Sequence, residues 1–313
     1  MSLKKTIEQL VKTTDKSNAD IHEFLKNTGV DCSRRTVRRY ANPVRRALAG
    51  EAPPDMAKIL LLDIETGPMK VYVWRPDPKW IPPVMIEEPV TVLSWSAKWL
   101  FDSVIMSKSV TAEEAVARKD ESILSDVWNL LDKADIVVAH NGRQFDTRIL
   151  NTRFALAGYS PPMPYRLIDT LRMVRTTFSL PSYTLDYINR LFHLTPKQDN
   201  EGFGLWRRCL RGEQAALDEL QRYNEVDIVA LEDCYIELRP WIRSHPNIAL
   251  YIDTDQEVCT NCGSSELEWR GKYYTPAGRY KAFRCENCGA IGRARYSDLS
   301  IEEKRRLLLS VAR

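Results

Sequence analysis

No apolar run in the 313-residue sequence is long enough to cross a bilayer; Ile59-Leu60-Leu61-Leu62 falls far short of the roughly twenty residues a membrane helix needs. No lysine-flanked apolar segment with a cleavage-type end follows Met1, so no secretory signal is expected. The expected location is intracellular: cytoplasmic or nucleoid-associated, or the host cytoplasm for a viral chain. Internal repeats and low-complexity runs are missing too, which excludes solenoids and collagen-like chains. What remains, 44% hydrophobic and 28% charged, is the composition of an ordinary soluble globular protein. The length suffices for one large domain with small modules attached.

The net charge of +3 is unevenly spread: residues 1–54 carry +5, the tail from Tyr251 carries +2, and the middle carries −4. An acidic centre suits a module that holds cations, and basic ends suit modules that grip phosphate. Of seven cysteines, Cys32, Cys209 and Cys234 are scattered, whereas Cys259/Cys262 and Cys285/Cys288 form two tight pairs. Without a secretion signal, such pairs read as metal ligands rather than as disulfides.

Composition divides the chain into residues 1–50, 56–248, 253–296 and a C-terminal helix at 297–313. Gly50 and the prolines at 53 and 54 mark the first break. In the first segment, Ala19–Leu25 is a short helical stretch with Ile21, Phe24 and Leu25 on one face, and Asn27-Thr28-Gly29 breaks it. Ser33 then caps a second helix in which Val37 and Tyr40 face inward. From Ser33 to Leu48 there is no acid against six arginines. The segment resembles the small helix-turn-helix modules of DNA-binding proteins. Arg34, Arg35, Arg38 and Arg39 are its candidate phosphate contacts, although a helical bundle with a solvated basic face fits the same pattern.

The central segment mixes strands (Lys58–Glu65, Val90–Lys98, Asp135–Asn141) with helices (about Glu113–Leu131, Asp146–Leu156, Ala215–Leu238). It reads as an α/β sheet covered by helices. Alternate strand residues share a face, so Asp63 and Glu65 project together at the end of a buried strand. Two buried carboxylates need positive compensation, and Mg²⁺ or Mn²⁺ favours oxygen ligands; a solvated acidic turn fits the pair equally well. A second apolar strand, Ile136–Ala139, leads through His140-Asn141-Gly142 to Asp146 in the first turn of the next helix. A lone Asp there is usually a helix cap. In the third stretch, Tyr223 and Asp227 lie four apart on one helix face.

In this order and spacing, the Asp63-x-Glu65 strand, the Asn141-x-x-x-x-Asp146 turn and the Tyr223-x-x-x-Asp227 helix resemble the DnaQ-like (DEDD) 3′-5′ exonucleases of the RNase H-like superfamily. Leu167–Leu171 and Ser182–Leu185 extend the resemblance, which covers about residues 58–238. It implies an RNase H-like mixed sheet flanked by helices and two Mg²⁺ or Mn²⁺ ions held by Asp63, Glu65, Asp146 and Asp227. It also implies hydrolysis of phosphodiesters to nucleoside 5′-monophosphates. Tyr223 places the chain in the tyrosine subclass, so His140 and His193 are not needed as bases. With a free pKa of about 10, a tyrosine is better suited to orient water than to take its proton. Asp169 reads as structural. Between the flanking helices, the segment from Lys197 to Arg208, with Trp206, Arg207 and Arg208, suits a flap that stacks on bases and touches phosphate, or an ordinary packed loop.

The tail resembles a zinc ribbon. Cys259-Thr260-Asn261-Cys262-Gly263 and Cys285-Glu286-Asn287-Cys288-Gly289 are two knuckles around a predicted hairpin, and four thiolates suit one closed, tetrahedral Zn²⁺. Tyr273, Tyr274, Tyr280 and Phe283 with Arg270, Lys272 and Arg279 are candidate nucleic-acid contacts of this module. The expected partner is nucleic acid, with DNA favoured over RNA, while a protein partner through either end module is also open and no membrane is involved. The alternative to an enzyme is a catalytically silent binding or recruitment protein on a nuclease scaffold.

Overall fold

The computed structural model describes residues 3–32, 36, 37, 40, 41, 44, 57–197 and 201–308. The contacts divide the chain into two compact units, Lys58–Leu238 and Met1–Ala57 with Arg239–Arg313.

In the smaller unit, α1 (Leu3–Thr13) and α2 (Asn18–Asn27) form the first helices. A capping box starts α2: the Ser17 hydroxyl accepts from Asp20 N, and the Asp20 carboxylate accepts from Ser17 N. Ile21 and Leu25 are buried with Ile7, Val11, Val37 and Ala41. Phe24, expected on the same face, is 41% exposed beneath Lys16. The four arginines Arg34, Arg35, Arg38 and Arg39 and the Ser33 cap lie outside the described residues.

The larger unit is built on a five-stranded mixed sheet. Its strands are β1 (Ile59–Gly67), β4 (Thr91–Trp99), β5 (Met106–Ser109), β6 (Ile136–Ala139) and β7 (Arg166–Asp169), in the order β5-β4-β1-β6-β7. β1 pairs antiparallel with β4 and parallel with β6, and β6 pairs parallel with β7. A small hairpin of β2 (Lys70–Val71) and β3 (Ile86–Glu88) follows β1. Helices α3 (Ala112–Ala117), α4 (Glu121–Lys133), α5 (Asp146–Leu156), α6 (Thr170–Thr177), α7 (Leu185–Leu191), α8 (Phe203–Cys209) and α9 (Gln214–Leu238) surround the sheet. Leu60, Leu62 and Ile64 of β1 belong to a buried cluster with Ile123, Leu124, Val127 and Leu131 of α4. This alternation leaves Leu61, Asp63 and Glu65 on the other face.

The single helix expected over about Glu113–Leu131 is two. Arg118 ends α3 in the left-handed conformation (φ 55°), and its guanidinium reaches the Pro68 carbonyl and Glu88, each at 2.7 Å. Asp120, which precedes α4, is fully buried, accepting from Val92 N at 2.9 Å and from Arg153 at 2.7 Å. These long-range bonds outweigh the continuous helical periodicity.

α9 packs across β4 and β1. A buried ion pair, Lys98 Nζ to Glu232 Oε1 at 2.6 Å, fixes it to the sheet, and the same oxygen accepts from Phe101 N at 3.0 Å. Removing one member of such a pair strands the other charge. Glu232→Ala is therefore expected to cost about 3–5 kcal/mol in denaturant unfolding. A loss below about 1 kcal/mol would mean that the pair does not anchor α9.

Candidate active site

Asp63 and Glu65 point from one face of β1, opposite Ser96 and Ser94 of β4. α9 presents Asp227 to the same place, and carboxylate oxygens of Asp63, Glu65 and Asp227 all lie within 4.8 Å of one another. Asp146 stands beside this trio rather than within it. At 1% exposure in the first turn of α5, it accepts from Ile64 N, between the two β1 carboxylates, at 3.1 Å.

The turn that delivers Asp146 is tightly specified. Asn141 adopts φ 71°, and a Cβ on Gly142 would sit 2.5 Å from that of Ala139, so only glycine fits. Asp169 accepts from the backbone N–H groups of Asn141 and Arg143 and caps α6 through Arg172 N. It holds the turn. His140 bonds the Thr170 hydroxyl at 2.9 Å and the Tyr183 carbonyl at 3.0 Å, and burial pushes its pKa down to about 4. It is neutral at physiological pH and supports the loop rather than the chemistry.

Three side chains that sequence reasoning did not place here complete the site. Asn224 Nδ2 donates to Asp63 Oδ2 at 2.6 Å. Trp206 lies beside Glu65, whose carboxyl it favours in the charged form, and its ring meets Tyr223 edge-on at 6.4 Å. Lys197 Nζ lies 2.5 Å from Asp227 Oδ2 and 5.1 Å from the centre of the Tyr223 ring. Neither Asp227 oxygen makes a hydrogen bond of good geometry among the described residues, so the ammonium is its main compensation.

The segment from Lys197 to Arg208 is helical over its second half as α8, with Leu205 and Cys209 buried. Trp206 is half-buried beside the carboxylates. Arg208 contacts Glu201, Glu213 and Glu219 at 2.8–3.5 Å, whereas Arg207 is exposed.

One ammonium against four carboxylates leaves a large deficit. Burial raises Asp63 well above the carboxylate range, helped by Asp146, Glu65 and Asp227. Burial, then Asp227, pushes Glu65 up to about 7; burial brings Asp146 to about 7 and raises Asp227 as well. Tyr223 is raised by burial and then by Asp227, so its hydroxyl keeps its proton. Lys197 is pulled down by burial but held above its ordinary value by Asp227.

Acids whose folded pKa exceeds the unfolded value near 4 bind protons more readily when folded, so they cost stability as pH rises from about 4 to 7. An oxygen-seeking divalent cation relieves that cost by replacing the protons. The shift in melting temperature on adding Mn²⁺ should therefore be larger at pH 7.5 than at pH 5.5. An equal shift at both pH values would argue against a cation among these carboxylates.

Residues 100–239 match the sequence model of RNase_H_2, an RNase_H superfamily domain. The match contains Asp146, Tyr223 and Asp227 and begins after β1, so Asp63 and Glu65 lie ahead of it. The mixed five-stranded sheet with its flanking helices is the architecture expected of that superfamily. Among solved structures, the chain is similar to the family B DNA polymerase of the hyperthermophilic archaeon Pyrobaculum calidifontis. The TM-score is 0.43 at 16% identity, covering 60% of this chain and 25% of that one. This chain thus corresponds to about a quarter of the polymerase's length. No curated protein matches.

In the tail, a three-stranded sheet of β8 (Leu267–Thr275), β9 (Gly278–Cys285) and β10 (Ile291–Arg293) joins two cysteine turns. All four sulfurs lie within 4.8 Å of one another, with Cys259–Cys288 at 3.7 Å and Cys262–Cys285 at 3.6 Å. These are far beyond a disulfide bond, and about the 3.8 Å edge of a tetrahedron with metal–sulfur bonds of about 2.3 Å. Gly263 and Gly289 are left-handed and return their N–H groups to the carbonyls of Cys259 and Cys285, closing the turns. α10 (Ile301–Arg306) follows. Among the described residues, no helix is long and apolar enough to cross a membrane.

Proposed function

We propose that the chain is a metal-dependent 3′-5′ exonuclease, acting on DNA in preference to RNA, with the larger unit as its catalytic domain. The observation that carries this reading is the convergence of Asp63, Glu65 and Asp227 oxygens beside buried Asp146, with one lysine against four acids. Asp63, Glu65 and Asp227, with Asp146 alongside, would hold two Mg²⁺ or Mn²⁺ ions, whose oxygen preference fits an all-carboxylate donor set. When bound, such ions supply Lewis-acid charge for hydrolysis of a phosphodiester.

The chain's own residues position the reactants. Asn224 holds one Asp63 oxygen, and Trp206 lies beside Glu65. Tyr223, kept protonated, can donate to an oxygen brought against Asp227, which orients a water without removing its proton. Lys197 places a positive charge next to Tyr223 and Asp227, on the side from which a phosphate oxygen would be attracted.

The four tail cysteines are proposed to hold one structural Zn²⁺ in a zinc ribbon, and the first fifty residues to form a helix-turn-helix whose Arg34, Arg35, Arg38 and Arg39 contact phosphate. Arg207, exposed on α8, is a further candidate contact. The test is digestion of end-labelled single-stranded DNA, duplex DNA and RNA with Mg²⁺ and with chelator. Mg²⁺-dependent shortening of DNA supports the reading, and an inert protein in all arms overturns it.

A further inference from the structure

The tail sheet has two chemically different faces. Cross-strand partners share a face, so Trp269, Phe283, Lys272, Lys281, Tyr274 and Arg279 lie on one side. On that side the cations are largely neutralised: Lys272 pairs with Asp298, and Arg279 reaches both Asp298 at 2.9 Å and Glu303 at 3.3 Å. Arg270, in the bulge of β8, meets Glu268 at 3.4 Å. The three cations singled out in the sequence are therefore all engaged with acids.

The opposite side carries Tyr273 beside Tyr280, Arg293 beside Ala282, and Ile291 beside Arg284. Arg293 lies 4.0 Å over the Tyr280 ring and 5.7 Å from that of Tyr273. Small Ala282 leaves room for this guanidinium to settle onto the ring. Tyr273 is 47% exposed and Ile291 64% exposed, and both arginines face solvent. Arg284 and Arg293 bond only to backbone carbonyls and meet no carboxylate among the described residues. Glu268, on this face as the cross-strand partner of Arg284, turns to Arg270 at 3.4 Å and makes no ion pair with Arg284.

We propose that this face binds single-stranded nucleic acid, with a base on the exposed ring of Tyr273 and backbone phosphates on Arg284 and Arg293. The proposal rests on nucleic acid being the chain's substrate, and it gives that substrate a contact outside the carboxylate cluster. An exposed flat ring next to arginines that form no ion pair suits unpaired bases, whose faces are open, better than a duplex, whose faces are stacked away. Two exposed arginines in no ion pair suit a polyanion, which neutralises them and releases its counterions.

The test is fluorescence anisotropy of a labelled 20-nucleotide oligothymidylate with the full chain and no added divalent metal. Tyr273→Ala and Arg293→Glu are each expected to weaken binding about ten-fold or more, since a stacked base and a phosphate contact are of that order. Tyr273→Phe, which keeps the ring, should bind like the wild type. Lys281→Glu makes the same charge change on the opposite face and should stay within about two-fold. Zinc content equal to that of the wild type identifies the folded variants. Wild-type affinity in both Tyr273→Ala and Arg293→Glu overturns the proposal, as does equal weakening by Lys281→Glu or tighter binding to duplex of the same length. Hydrolysis of a dinucleotide, which offers few bases and phosphates beyond the scissile one, should be unchanged in all four variants. A wild-type chain that hydrolyses nothing yet shows this binding pattern overturns the nuclease reading alone.

Discussion

Asp63→Asn is expected to lower Mg²⁺-dependent hydrolysis by several orders of magnitude while the protein stays folded. The side chain keeps its shape and its place on β1, and the Asn224 amide can still reach the carbonyl oxygen of the new amide. What disappears is the negative charge among the carboxylates of Glu65 and Asp227, the oxygen set that would hold the cations. Tyr223→Phe is the matching mild lesion. It leaves all four carboxylates and removes one hydrogen bond, so the rate should fall only about ten- to hundred-fold, corresponding to about 1–3 kcal/mol. Single-turnover rates with saturating Mn²⁺ separate the two. If Tyr223→Phe were the worse variant, the hydroxyl and not the carboxylate set would carry the chemistry.

Cys285→Ser is expected to abolish zinc binding and loosen the whole tail sheet. Cys285 ends β9, pairs with Leu267 of β8, is 1% exposed, and sits 3.6 Å from Cys262. A three-stranded sheet with a core of Phe283, Ala290 and the cysteines buries little apolar surface, so a metal on the four thiolates would supply much of its stability. Metal analysis should fall from about one zinc per chain to near zero. Amide exchange should lose protection throughout β8 and β9. Retained protection without zinc would show that the sheet stands on packing alone.

The sequence made different parts of this molecule legible for different physical reasons. Strand alternation put Asp63 and Glu65 on one face, and helix periodicity put Tyr223 and Asp227 on another; both are local geometry. The Cys-x-x-Cys-Gly turns are local as well, since the glycine after each pair has to be left-handed. The helix break at Arg118 was not legible, because it depends on Pro68, Glu88 and Arg153, which are distant in sequence. Nor were Asn224, Lys197 and the Trp206 indole as neighbours of the carboxylates. Asn224 is 161 residues from Asp63, and nothing about its position in a helix announces that contact. Lys197 and Trp206 read as a cation and an aromatic for a substrate, and only the fold shows that both also stand beside the acids. Likewise, the cations of the tail sheet could be sorted into paired and unpaired only once the strand register was known.

The measurement that tests the central claim most directly is a time course on a single-stranded oligonucleotide labelled at its 5′ end, with separate analysis of the small products. The carboxylate cluster, read as a 3′-5′ exonuclease site, predicts a ladder that shortens by one nucleotide at a time with Mg²⁺ and stops with chelator. The released products should be nucleoside 5′-monophosphates. Immediate release of the labelled 5′ nucleotide, internal fragments without a ladder, or undiminished cleavage by Asp63→Asn would contradict it.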